Sequence, residues 1–73
     1  MKLSECKVGQ AVIISEINCN KNIKEKLAIL GVVKNAKIVV ERYASCGGPV
    51  EIKVRDFYLA IRKNQAEKIE VLS

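Results

Sequence analysis

Three cysteines and no histidine set the chemistry open to this chain of 73 residues. Without an imidazole there is no His-based triad, proton shuttle or general base, and the commonest transition-metal ligand is missing. Cys6, Cys19 and Cys46 are an odd number and are widely, unevenly spaced, without the paired short spacing of a zinc ribbon or a redox dithiol. A metal-binding or metal-sensing module would need these thiolates to converge with carboxylates such as Glu5, Glu51 and Glu67. The spacing does not support a site for Fe2+ or another transition metal. The cysteines read instead as small buried or loop residues, and the carboxylates as solvated strand and turn positions. Nor does the chain hold a GxxxxGK[ST] loop or a nucleophile placed beside a base, so neither phosphate binding nor catalysis is expected.

Thirteen Lys and Arg against eight Asp and Glu give a net charge of +5, which favours anionic partners. The cations are scattered from Lys2 to Lys68, and only Tyr43, Phe57 and Tyr58 could stack on bases, so specific nucleic-acid binding is not expected. A protein partner fits better. The stretch Ala44-Ser45-Cys46-Gly47-Gly48-Pro49 offers small uncharged tips, Tyr43 could anchor a contact beside it, and Lys24 and Lys26 could steer an acidic face toward an exposed Ile29. Tyr43, Cys46, Gly47, Gly48, Pro49, Lys24, Lys26 and Ile29 are therefore the candidate partner-binding residues.

The elements that must position these residues follow from periodicity. The chain is long enough for one domain only, over residues 1–73. Its longest uncharged apolar run, Leu27 to Val33, is far short of the roughly 20 residues that span a bilayer. Met1-Lys2-Leu3 opens no signal-peptide h-region, so a cytoplasmic chain without membrane insertion is expected.

Ala11 to Ile17 is rich in β-branched residues and reads as a first strand with Ala11, Ile13 and Ile17 inward, although Val12 and Ile14 make both faces apolar. Asn22, with Glu25 three residues on, fits a capping box for a helix that carries Ile23, Leu27 and Leu30 on one stripe and stops at Gly31. After a turn at Lys34-Asn35, Ile38 and Val40 face inward in a strand ending near Tyr43. Val50, Ile52 and Val54 alternate strictly with Glu51, Lys53 and Arg55 in the next. A turn at Asp56, an inward Leu59 and Ile61, a helical turn over Lys63 to Glu67 and a short strand Ile69-Glu70-Val71 complete the chain. About five antiparallel strands and one short α-helix between strands one and two predict an all-β fold, a small SH3-like barrel.

The segments Leu3-Ser4-Glu5-Cys6-Lys7-Val8-Gly9-Gln10, Leu27 to Gly31, Gly47-Gly48-Pro49-Val50-Glu51-Ile52-Lys53-Val54-Arg55, Leu59-Ala60-Ile61-Arg62-Lys63 and Ala66-Glu67-Lys68-Ile69 resemble, in order and spacing, the FeoA family of ferrous iron transport accessory proteins. The chain departs from that pattern with Val8 where Pro is usual, Lys34-Asn35 in place of Pro-Gly, cysteine for a larger apolar residue at Cys6 and Cys46, and an apolar Ile29. The resemblance implies an SH3-like barrel in the bacterial cytosol, without enzymatic activity, that acts by contact on FeoB, a membrane ferrous iron transporter with a cytosolic GTP-binding domain. It also extends to the C-terminal SH3-like module of iron-dependent repressors, whose DNA-binding domain has no counterpart here.

Overall fold

The computed structural model describes residues 1–45 and 47–73. A 3-10 turn (Leu3–Glu5) precedes β1 (Ala11–Ile17), α1 (Lys21–Ile29), β2 (Lys37–Tyr43), β3 (Val50–Val54), β4 (Phe57–Ile61), α2 (Lys63–Ala66) and β5 (Ile69–Leu72). The strands form one antiparallel sheet in the order β4-β3-β2-β1-β5. This is the expected small all-β barrel with one short helix between its first two strands.

Two bulges curl the sheet. Along β1 the register runs Ile13 to Leu72 and Ile14 to Val71, then jumps to Glu16 opposite Glu70, leaving Ser15 as an extra residue. Along β2 it jumps from Val40 opposite Ile52 to Arg42 opposite Glu51, leaving Glu41 extra. Each added residue increases local twist and bends its strand, which is how a short sheet wraps around a core. The first half of β1 pairs with β2 and its second half with β5, so the bend falls where the strand changes partner.

The first bulge also corrects the predicted facing of β1. Val12 and Ile14 are buried, whereas Ala11 is exposed and Ile13 is 45% exposed. The inward set is Val12, Ile14 and Ile17, because Ser15 inverts the alternation between Ile14 and Ile17. On β2 and β3 the expected Ile38, Val40, Val50, Ile52 and Val54 all lie in the core. On β4, Ile61 is buried and Leu59 packs against the core from its margin.

Helix α1 is capped by Asn20, two residues before the expected Asn22. Asn20 has an extended backbone, and its side-chain oxygen accepts the N–H of Ile23 at 3.0 Å. At the other end, Val32 N–H donates to the Leu27 carbonyl at 2.8 Å and Gly31 N–H to the Ala28 carbonyl at 3.0 Å. These are the two bonds of a Schellman ending, which needs a left-handed residue, and Gly31 sits at φ 91°. The reversal places Val32 in the core beside Leu27 and leaves Leu30 38% exposed. The expected stripe of Ile23, Leu27 and Leu30 is thus Ile23, Leu27 and Val32.

Both ends of the sheet order remain distinct, since no ladder joins β4 to β5 among the described residues. The N-terminal segment covers the β5 side, where Lys2 bridges Glu70 and Val71 N–H donates to the Met1 carbonyl at 2.7 Å.

Candidate functional site

The β2–β3 connection is built by two backbone bonds, Ala44 N–H to the Pro49 carbonyl at 2.9 Å and Gly48 N–H to the Ser45 carbonyl at 2.8 Å. Position 48 is tightly packed: a Cβ there would lie 2.7 Å from the Ser45 hydroxyl, 3.1 Å from Ser45 N and 3.2 Å from its carbonyl oxygen, so a side chain would have to displace the turn. The folded-back tip forms one wall of an open cleft of about 520 Å³, lined by Ser4, Tyr43, Ser45, Gly47, Gly48, Val50, Lys63 and Ala66. Three chain regions distant in sequence converge there: the 3-10 turn, the β2–β3 connection and α2.

Tyr43 gives this cleft a fixed wall. Its hydroxyl donates to the Cys6 carbonyl, with the Ser4 carbonyl 3.5 Å away, and its ring packs on the margin of the core. Burial pushes the Tyr43 hydroxyl above its ordinary pKa, and the neighbouring Cys6 adds to the rise. Tyr43 is thus a half-buried anchor tied to the N-terminal segment rather than a free side chain. Lys63 supplies the cleft's one cation among the described lining residues, at the start of α2 and facing Gly47.

Of the predicted partner-binding residues, Tyr43, Gly47 and Gly48 come together in this cleft, and Pro49 is exposed beside them. Cys46 lies outside the described residues. Lys24, Lys26 and Ile29 are exposed on α1, Ile29 at 84%, and none of them lines the cleft. Ser45 belongs to the predicted loop without being among the named candidates, and Ser4, Val50, Lys63 and Ala66 are the lining residues that sequence reasoning missed. Ser4, Val50, Lys63 and Ala66 all belong to segments that resemble the FeoA family, yet only the fold brings them together around the cleft.

The thiols and carboxylates weighed for metal chemistry have other neighbours. Cys6 is buried, its thiol 3.7 Å from the Lys2 carbonyl, and burial pushes its pKa up against a smaller downward pull from the N-terminal ammonium. The Cys19 thiol lies 3.9 Å from the Gln65 carbonyl. Glu5 accepts the Lys2 N–H at 2.8 Å, Glu51 pairs with Arg42 at 3.5 Å, and Glu67 is exposed. No cluster of three or more His, Cys, Asp or Glu side chains gathers among the described residues. Likewise, no described helix is long and apolar enough to cross a membrane.

Comparison with known proteins places this geometry among relatives. The pattern of the FeoA domain matches residues 1–72. A candidate Fe(2+) transport protein A of Campylobacter jejuni is 28% identical over 71 residues, which is 97% of this chain and 96% of that one. The solution structure of the FeoA protein from Chlorobium tepidum superposes with a TM-score of 0.92 at 37% identity, covering 97% of this chain and 68% of that one. The zinc-complexed FeoA of Stenotrophomonas maltophilia, described as a prokaryotic SH3 domain protein, shares the fold at a TM-score of 0.82 and 24% identity, covering 99% and 89%. With its family pattern matched from Met1 to Leu72 and its barrel shared with these structures, the chain belongs to the FeoA family.

Proposed function

We propose that the chain is a non-enzymatic accessory of ferrous iron uptake that works in the cytosol by binding a FeoB-type membrane transporter on its GTP-binding side. Membership of a family named for iron transport supports the process. The observation that carries protein contact as the mode of action is the cleft between the β2–β3 connection and α2. Its lining combines small uncharged residues, an immobilised tyrosine ring and one lysine. Such a concave surface accepts a side chain or a loop of a partner, and its rigidity keeps the entropy lost on binding small.

The test is a Ser45→Asp, Lys63→Glu double variant, checked for native fold by circular dichroism and then titrated against the cytosolic domain of the transporter. Blocking the cleft and reversing its charge should weaken binding at least about tenfold, since hot-spot losses commonly exceed 1–2 kcal/mol. A folded variant that binds as tightly as the parent removes the cleft from the interface. Ile29→Asp, made separately, reports on α1: lost affinity there brings Lys24, Lys26 and Ile29 into the contact, and unchanged affinity leaves them out.

A further inference from the structure

The two edges of the sheet are treated differently. At β5, Met1 and Lys2 lie along the strand, and the Val71 N–H is taken by Met1. At β4 no such cover exists among the described residues. Val54 and Phe57 flank a two-residue turn, so this pair exchanges hydrogen bonds, as do Ile52 with Leu59 and Val50 with Ile61. Antiparallel geometry then turns the N–H and C=O groups of Tyr58 and Ala60 away from β3, and no backbone bond engages them among the described residues.

Proteins usually blunt a free edge with charge, proline, a bulge or a cover. β4 reads Phe-Tyr-Leu-Ala-Ile with no charged residue, no proline and an unbroken register against β3. Tyr58 is 57% exposed and Ala60 is exposed beside it. Charge sits at the ends of the strand instead: Arg55 and Asp56 before it, Arg62 and Lys63 after it. Lys53 stands over the Tyr58 ring at 5.8 Å.

We infer that β4 is a strand-addition site for an extended, uncharged segment of a partner protein that is flanked by acidic residues. The inference rests on the proposed function for the identity of the partner and names how that partner is held. Main-chain bonds to Tyr58 and Ala60 supply affinity, as in other β-augmented complexes. An acidic flank meets Arg62 with Lys63 after the strand, where no acidic residue opposes it; before the strand it meets Arg55, whose charge the adjacent Asp56 offsets in part. The charge pattern disfavours a second copy of the chain. Antiparallel self-pairing centred on Leu59 sets Asp56 against Arg62 but Arg55 against Lys63, so attraction and repulsion offset. Lys63, which follows β4 in the chain, also lines the cleft.

The probe is a capped peptide of alternating Val and Thr with two glutamates at each end, its control the same peptide with lysine flanks, both titrated into the full chain. Amide exchange read residue by residue should slow at Tyr58 and Ala60 by about tenfold or more as the glutamate peptide saturates, and the lysine peptide should bind at least about tenfold more weakly at low salt. Ala60→Pro, which an edge position with an outward N–H tolerates, should abolish binding. The exchange experiment on the parent chain stands even if that variant does not fold.

Unchanged exchange at Tyr58 and Ala60, equal binding of both peptides, equal binding by folded Ala60→Pro, or a dimer of the free chain that Ala60→Pro disperses would each overturn the inference. The same exchange measurement with the transporter's cytosolic domain separates the two readings. Binding that leaves Tyr58 and Ala60 unprotected overturns the strand-addition inference and supports the proposed function. Docking of the glutamate peptide on β4 without any binding of the domain does the reverse.

Discussion

Ile13 and Ile14 are adjacent, chemically identical and placed in the same strand, so truncating each in turn isolates what the β1 bulge does. Ile14 is fully buried, opposite Val71, while Ile13 is 45% exposed between Leu72 and Lys37. The backbone bonds at Ile14, from its N–H to the Ala36 carbonyl at 2.9 Å and from Asn35 N–H to its carbonyl at 2.7 Å, do not depend on the side chain. Loss of strand propensity on Ile→Ala is common to both sites and cancels in the comparison. What remains is burial. Ile14→Ala should cost about 2–5 kcal/mol for lost transfer free energy and an unfilled cavity, and Ile13→Ala under about 1.5 kcal/mol. A 73-residue domain holds about 4–11 kcal/mol in total, so the first variant lies close to unfolding while the second stays folded. In thermal melts that is a drop of at least about 8 °C for Ile14→Ala. Urea titrations followed by circular dichroism measure both. If Ile13→Ala costs more than Ile14→Ala, the strand faces the way that unbroken alternation back from Ile17 would place it and the Ser15 bulge is wrong; equal costs would refute the difference in burial between the two.

Two further outcomes follow from local geometry. Gly31→Ala should cost about 1–2 kcal/mol, because the residue needs positive φ and the new Cβ would lie 3.3 Å from Val54 Cγ1; Asn35→Gly, at φ 75°, should be within about 0.5 kcal/mol of the parent, and a neutral Gly31→Ala in urea titration would contradict the Schellman ending. Burial raises the folded-state pKa of Cys6 and of Tyr43, so the fold favours their neutral forms, and the stability this gives is intact below the unfolded thiol's value near 9.0 and is lost as pH climbs through the folded values. The urea midpoint should therefore fall between pH 8 and pH 11, and fall less in Cys6→Ala; an equal decline in both would show that Cys6 does not contribute.

What could be read from the residues depended on how local the determining interaction was. β3 was legible because Val50, Ile52 and Val54 alternate with charged residues, so only one face can be buried. β1 was not, since Val12, Ile13 and Ile14 are all apolar and the single residue that decides the register, Ser15, is polar on either reading. The helix was legible as an element, but its ends were not. Asn20 and Asn22 are both good caps, and which one is used depends on where the chain leaves β1. Leu30 fits a 3.6-residue period, yet the Schellman reversal at Gly31 hands its place to Val32, an effect of backbone geometry that no periodicity count contains. At the candidate site the loop was visible from its uncharged composition. Ser4, Lys63 and Ala66 were not, because they meet the loop only through the closure of the barrel, across most of the chain's length.

The N-terminal segment ties two of these features together. Met1 and Lys2 occupy the β5 edge, and a few residues later the carbonyls of Ser4 and Cys6 face the Tyr43 hydroxyl that fixes the cleft wall. Covering one edge and shaping the cleft are thus work done by the same short stretch, held at both ends by the sheet. Among the described residues nothing comparable holds the outer side of β4, whose exposed groups are already extended and in register through their ladder with β3. A partner that enters the cleft meets a preformed shape, and one that adds to β4 meets a preformed template, so in either case the ordering cost of association falls on the partner. That division suits a small domain whose own core leaves little free energy to spend on rearrangement, and it favours contact by a fixed surface over a switch built into the barrel itself.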